Sequence, residues 1–321
     1  MESLFIYEKG ELSLRKTLWW TLLLTLGMVL LATGCGGAST PSGEDGDTGG
    51  GTGDTSGASG GTQEIRIGMV NWAEDIAVSH LWKVILEQEG YQVTLQQLDA
   101  APLYTGLANG DLDVFLDAWL PITHEAYWEK YKDQLEDYGI WYGGQADLGL
   151  AVPTYVEEVN SIEDLETHKD LFNGEITGID AGAGLMRLIE EAVIPEYGLS
   201  LKLVASSESA MLSALDNAVK NQEPIVIAAW RPHWMFTEWD LKYLEDPKKT
   251  LGEPEEIHTL ANKDFAERHP EVASWLKNFK MTDEQLGTLE SYIFNEGMAE
   301  DEAAKRWIEE NRNVVDGWLG R

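Results

Sequence analysis

From Glu64 onward the chain alternates short apolar runs with stretches whose apolar positions recur every three or four residues, the pattern of β-α-β units. Strands are predicted over Ile65–Val70, Gln92–Leu98 and Asp113–Leu116. Helices are predicted over Asp75–Glu89, where Ile76, Leu81, Val84, Ile85 and Leu86 share a face and Gly90 is the stop, and over Pro102–Asn109 and Thr123–Leu135. Asp147–Val152, ended by Pro153, reads as a strand leaving this first set. A second set follows a turn of helix capped by Ser161 with Asp164 three positions on. It comprises strands Glu175–Asp180, Lys202–Ala205 and Pro224–Ala229, with helices Leu185–Glu196 and Ser209–Lys220 between them. Ile257–Ala261 reads as a strand crossing back, and helices Pro270–Phe279, Asp283–Glu296 and Glu302–Trp318 complete the chain. The predicted fold class is α/β, a two-lobed clamshell in which each lobe is a mostly parallel sheet flanked by helices, joined by two crossover strands. Residues 64–152 and 262–321 form lobe I and residues 153–261 form lobe II.

The first sixty residues break this pattern. Lys9, Arg15 and Lys16 precede an apolar run from Leu18 to Leu31, and Ala32-Thr33-Gly34-Cys35 follows at once, the arrangement of a lipoprotein signal peptide over residues 1–34. Cys35 is the single cysteine of the chain, so a disulfide framework or a cysteine-based zinc cluster is excluded, and lipid attachment is its expected role. Residues 35–63, rich in Gly, Ser, Thr and Asp, read as a flexible tether. Together these features predict an extracytoplasmic domain held to the cell membrane by a lipid anchor.

The formal net charge is -33, from 56 acidic against 23 basic residues, and few of the acids lie in the tether. Such a surface repels nucleic acid and anionic headgroups, and it suits a halophile, whose medium screens the repulsion.

Candidate chemistry gathers at strand ends, where open α/β sheets bind ligands. Trp72 follows the first predicted strand and Trp119 the third. Trp230 follows the last strand of the second lobe. Three indoles facing one cleft suit a quaternary ammonium, which donates no hydrogen bonds but is attracted to ring faces. His124, five positions past Trp119, can donate a hydrogen bond to a carboxylate. Between a strand and a helix, Gly178-Ile179-Asp180-Ala181-Gly182-Ala183-Gly184 offers backbone N–H groups to an anion. This turn lacks the Lys-Ser/Thr ending of a phosphate loop, which argues against nucleotides. His233 and Trp234 are assigned supporting or structural roles, and Trp82, Trp128, Trp141, Trp239, Trp275, Trp307 and Trp318 are assigned to helix faces or the core. No catalytic constellation, metal-ligand set or cofactor motif can be nominated, so an enzyme is not expected.

The segments Val70-Asn71-Trp72, Asp117-Ala118-Trp119-Leu120-Pro121-Ile122-Thr123-His124, Asn160 to Leu165, Gly178-Ile179-Asp180 and Trp230-Arg231-Pro232-His233-Trp234 resemble the substrate-binding proteins of glycine betaine ABC importers. The resemblance implies a monomeric receptor that delivers glycine betaine or proline betaine to an ABC permease for osmoprotection. It implies a tryptophan box of Trp72, Trp119 and Trp230, with the ligand carboxylate on His124 and on the N–H groups of Gly178 and Ile179. Ala181 and Ala183 stand where the family carries Pro and Ser. The alternatives are a choline or carnitine receptor, or a surface sensor lipoprotein without transport.

Overall fold

The computed structural model describes residues 63–321, so the signal segment, Cys35 and nearly all of the tether lie outside the described residues. The first lobe is built on β1 (Glu64–Met69), β2 (Gln92–Gln97), β3 (Val114–Leu120) and β4 (Leu135–Ile140). Between them run helices α1 (Ala73–Gln88), α2 (Ala100–Asn109) and α3 (Glu125–Tyr131). The second lobe uses β5 (Asp147–Pro153), β6 (Glu175–Thr177), β7 (Lys202–Val204), β8 (Ile227–Arg231) and β9 (Leu241–Tyr243), and the chain returns through β10 (Glu256–Asn262).

The sheet orders are β2-β1-β3-β10-β4 and β7-β6-β8-β5-β9. In each, three strands run parallel, while the fourth and fifth are antiparallel additions. The clamshell α/β architecture therefore follows the reading of the sequence, with mixed sheets. The lobe boundaries need correction. β5, expected to close lobe I, pairs with β8 and β9 in the second sheet, and β10, expected in lobe II, pairs with β3 and β4 in the first. Both crossover strands are apolar runs buried in whichever sheet they join, and their hydropathy carries no label for which sheet that is.

β4 and β9 were not foreseen. β4 lies at the sheet edge with only Leu135 and Tyr138 buried, so its polar positions hide the strand period. The expected helix Thr123–Leu135 is accordingly shorter. The Ser161 cap is also reversed. The Asp164 carboxylate accepts from the N–H groups of Asn160 and Ser161, both at 2.9 Å, while the Ser161 hydroxyl accepts from Glu163 N–H. The shorter acid side chain reaches back over the turn and satisfies two donors at once.

β3 is buried along its whole length because it is covered on both faces. Beside it Gly68 suits close packing, since a Cβ there would stand 2.7 Å from Leu112 Cδ1 and that buried side chain would have to shift. The C-terminal helices pack on α1. Under them lies an aromatic row: Trp307 stacks on Trp318 at 5.8 Å, Trp318 on Trp82 at 6.1 Å, and Phe279 on Trp141 at 5.0 Å. Trp82, Trp141, Trp307 and Trp318 are thus core residues, and Trp128 and Trp239 pack partly buried against the core, both within the expectation of helix-face or core positions. No helix among the described residues is long and apolar enough to cross a membrane.

Trp307 is fully buried and its Nε1 donates to Gln285 O at 2.9 Å. Truncating such a side chain removes burial and leaves a cavity, so Trp307→Ala should lower unfolding free energy by about 3–5 kcal/mol in denaturant titration. Ligand affinity of the folded fraction should stay within about twofold, a change of less than roughly 0.5 kcal/mol.

Candidate functional site

Trp72 sits between β1 and α1 as the residue preceding the helix. The turn is fixed by Asp75, whose Oδ2 accepts from Val70 N–H at 2.7 Å and whose Oδ1 accepts from the Ser79 hydroxyl at 2.9 Å. Trp119 is the penultimate residue of β3, followed by a cis Leu120–Pro121 bond. That turn is closed by His124 N–H donating to Trp119 O at 2.9 Å. It is held by Glu255, which accepts from the N–H groups of Ile122 and Thr123 and from the Thr123 hydroxyl. Trp230 lies near the end of β8 and precedes a cis Arg231–Pro232 bond. Each lobe thus carries a Trp-X-cis-Pro step at a strand end.

The three indoles meet. Trp72, Trp119 and Trp230, with relative exposures of 6, 2 and 3 %, line one cavity. Glu74 and Thr123 from the first lobe, and Leu148, Ile179, Ala183, Gly184 and Leu185 from the second, complete the lining. The walls approach closely: a Cβ on Gly184 would stand 2.1 Å from Thr123 O, so glycine is required there. Tyr127 Oη donates to Gly182 O at 2.8 Å across the same seam.

Each indole N–H ends on a carboxylate. Trp119 Nε1 donates to Asp117 Oδ1 at 2.9 Å, Trp230 Nε1 to Glu74 Oε2 at 3.0 Å, and Trp72 Nε1 to Asp180 Oδ2 at 3.0 Å. The last two bonds run between lobes in opposite senses. A further interlobe bond joins Ala73 N–H to Glu208 Oε2 at 3.1 Å. Burial, reinforced by Glu208, raises the Glu74 carboxyl to about 7, and burial raises that of Glu208 to about 8. Asp117 is pushed well above the carboxylate range, again by burial first and then by Glu74 and Asp75. His233 Nδ1 accepts from Met235 N–H at 3.0 Å, and Nε2 faces Glu208 Oε1 at 3.2 Å. Burial lowers His233 to about 4, so this contact joins groups held toward neutrality. His233 also meets the Trp230 ring edge-on at 4.7 Å, which fits a structural role.

The remaining expected residues are placed unevenly. Ile179 lines the cavity, whereas Gly178 and His124 do not. Gly178 N–H donates to Val204 O at 2.9 Å, which corrects the expectation of a free donor: the residue continues the ladder between β6 and β7. Ile179 N–H reaches only the weak acceptor Met186 Sδ, at 3.3 Å. His124 is fully buried and stacks on Trp72 at 5.8 Å with 24° between the rings. Its Nδ1 accepts from Trp119 N–H and faces Tyr104 Oη, both at 3.1 Å, which places the proton on Nε2. Nε2 has no partner among the described residues, and burial lowers the ring to about 3, so it stays neutral.

Sequence reasoning missed Glu74, Asp117 and Asp180 as partners of the indoles. Asp117 could have been found, because residues two apart on a strand share a face. The other two partners are 108 and 156 positions away from their indoles, with no local signal.

Raised acids make the folded protein hold more protons than the unfolded chain between about pH 4.5 and 8 for Glu208 and up to about 7 for Glu74. Lowered His124 and His233 act oppositely, but only below about pH 6.5. The melting temperature of the ligand-free protein should therefore fall as pH rises from about 6.5 to 8. Scanning calorimetry should show a shallower fall in Glu208→Gln, while a flat wild-type profile would contradict the assignment.

Residues 63–310 match the family model described as the substrate binding domain of ABC-type glycine betaine transport systems. The glycine betaine/carnitine transport binding protein of Listeria monocytogenes is 40% identical over 179 residues, 54% of this chain. That match spans 59% of the Listeria protein's length. A crystal structure of lactococcal OpuAC, closed on glycine betaine, superposes with a TM-score of 0.74 at 36% identity, covering 80% of this chain and 99% of that one. An ABC-transporter choline binding protein in complex with choline gives a TM-score of 0.74 at 29% identity, over 80% of this chain and 91% of the other. The family is a transport family and not a class of enzymes. This chain belongs to the family of substrate-binding domains of ABC-type glycine betaine transport systems.

Proposed function

We propose that this protein is an extracytoplasmic receptor that encloses glycine betaine, and also proline betaine, between its lobes and presents it to an ABC permease for osmoprotection. The observation that carries the reading is the convergence of Trp72, Trp119 and Trp230, contributed by both lobes, on one cavity. Each desolvated ring is worth roughly 2 kcal/mol to a quaternary ammonium. Three rings supply about 6 kcal/mol before methyl burial is added and association costs are subtracted. A micromolar complex needs about 8 kcal/mol net, so the rings are a large contribution to which methyl burial and the carboxylate contacts must add. Because the wall is shared, the ligand is gripped only when the lobes are together, which couples occupancy to the shape a permease meets.

For the carboxylate, His124 is the favoured donor. Its neutral ring carries the proton on Nε2, and that atom is buried and unpaired among the described residues. A buried unpaired donor costs about 1–3 kcal/mol, which a ligand carboxylate would recover. Ile179 N–H, now on a thioether, is the second donor, since a carboxylate oxygen is the stronger acceptor. The occupied N–H of Gly178 favours a second reading, a choline receptor, because choline presents no carboxylate to be met.

The lipid anchor on Cys35, the tether and the monomeric state belong to this proposal and rest on the sequence. A medium rich in salt, where compatible solutes are gathered, agrees with the charge of -33.

Titration calorimetry and tryptophan fluorescence with glycine betaine, proline betaine, choline and carnitine test the reading. Trp119→Ala and Trp230→Ala should each weaken glycine betaine binding by about 2 kcal/mol, near thirtyfold. His124→Ala should weaken the betaines and leave choline nearly unchanged. No saturable response to any of the four ligands would refute receptor function, and equal losses of choline and betaine in His124→Ala would refute the carboxylate role.

A further inference from the structure

The carboxylates behind the cage have no evident structural necessity. An indole N–H is satisfied by any neutral acceptor, as Gln285 O does for Trp307 and Leu116 O for Trp141. All three cage indoles instead use acids. Asp117 and Glu74 are buried, at 0 and 1 % exposure, and Asp180 is partly so. Among the described residues none of the three takes part in a salt bridge, although Asp113 elsewhere in the same lobe is met by both Arg66 and Arg268. Asp117 Oδ2 and Asp180 Oδ1 are buried with no hydrogen-bond partner among the described residues. Glu74 itself reaches the cavity wall.

Ionising a buried carboxyl that has no charged partner costs several kcal/mol, and one indole hydrogen bond of about 1.5–3 kcal/mol does not offset it, so the charge is held back until a partner arrives. The ionised form becomes stable when a cation stands nearby. A hydrogen bond to an anion also pushes electron density onto the indole and strengthens the negative face that a cation meets. We propose that Asp117, Glu74 and Asp180 act through the three indoles as a counter-ion layer that makes the cleft select a permanent cation over a neutral group of the same shape. The proposal rests on the ligand class argued above. Two of the three carboxylates come from the lobe opposite their indole, so the layer is complete only when the lobes meet.

The test compares glycine betaine with tert-butylacetate, its carbon isostere, in which a neutral quaternary carbon replaces the ammonium nitrogen. Asp117→Asn, Asp180→Asn and Glu74→Gln each keep an acceptor oxygen for the indole N–H and remove one potential charge. Binding is read by tryptophan fluorescence, with the isostere also in competition against glycine betaine. Asp117→Asn should weaken glycine betaine at least about tenfold, or 1.4 kcal/mol, and leave tert-butylacetate unchanged or tighter. The other two variants should shift the ratio of affinities in the same direction. A neutral role in holding the rings predicts equal losses for both ligands, and that result, or no loss for glycine betaine, overturns the layer. If the isostere binds neither protein, the decision falls to glycine betaine alone. A tenfold loss with a melting temperature of the ligand-free protein that is unchanged or raised supports the layer, and any other result overturns it. Wild-type protein that binds no quaternary ammonium overturns the functional reading and the layer with it, whereas wild-type binding with equal losses overturns the layer alone.

Discussion

The arrangement of the cleft depends on indole N–H groups ending on buried carboxylates. An indole has one donor, and in an apolar wall that donor must be met or the ring turns away. Here Asp117, Glu74 and Asp180 meet all three, fixing which face each ring shows the cavity. The same acids are costly to ionise where they lie, which is why burial raises Glu74 to about 7 and Asp117 well above its usual range. The cleft is therefore a place where negative charge is held back until something positive enters.

That constraint explains features of the fold that would otherwise be unrelated. The two sheets repeat one topology, three parallel strands with an antiparallel strand added from the crossing, so their ligand-facing strand ends oppose each other. Trp72 reaches over to Asp180, Trp230 reaches back to Glu74, and Ala73 donates to Glu208 between them. The reciprocal bonds make the seam between the lobes polar in its partners but apolar in the surface it shows a ligand. Gly184, tight against Thr123 O, lets the backbones approach far enough for these bonds to form.

Much of this was legible in the sequence. The periodicity located most helices and the strands of both parallel cores, and the three strand-end tryptophans pointed to the cavity wall because each ends an apolar run that hydropathy marks clearly. The assignment of β5 and β10 to sheets was not legible, since a doubly buried strand looks alike in either. Gly178 misled because a glycine-rich turn advertises free N–H groups, while its own N–H is spent on Val204 O. Glu74 and Asp75 stand in the first turn of α1, where any acid suits the helix dipole, so nothing in the local sequence marks their other contacts. Long-range pairings such as Trp230 with Glu74 are properties of the folded seam alone.

The measurement that bears most directly on the central claim is a crystal structure of the protein grown with glycine betaine. The account predicts the trimethylammonium nitrogen within about 6 Å of the ring centroids of Trp72, Trp119 and Trp230. It also predicts the carboxylate at hydrogen-bonding distance from His124 Nε2. A ligand bound away from the three indoles, or one whose carboxylate points at Asp117 and Glu74 with the methyl groups toward His124, would contradict it.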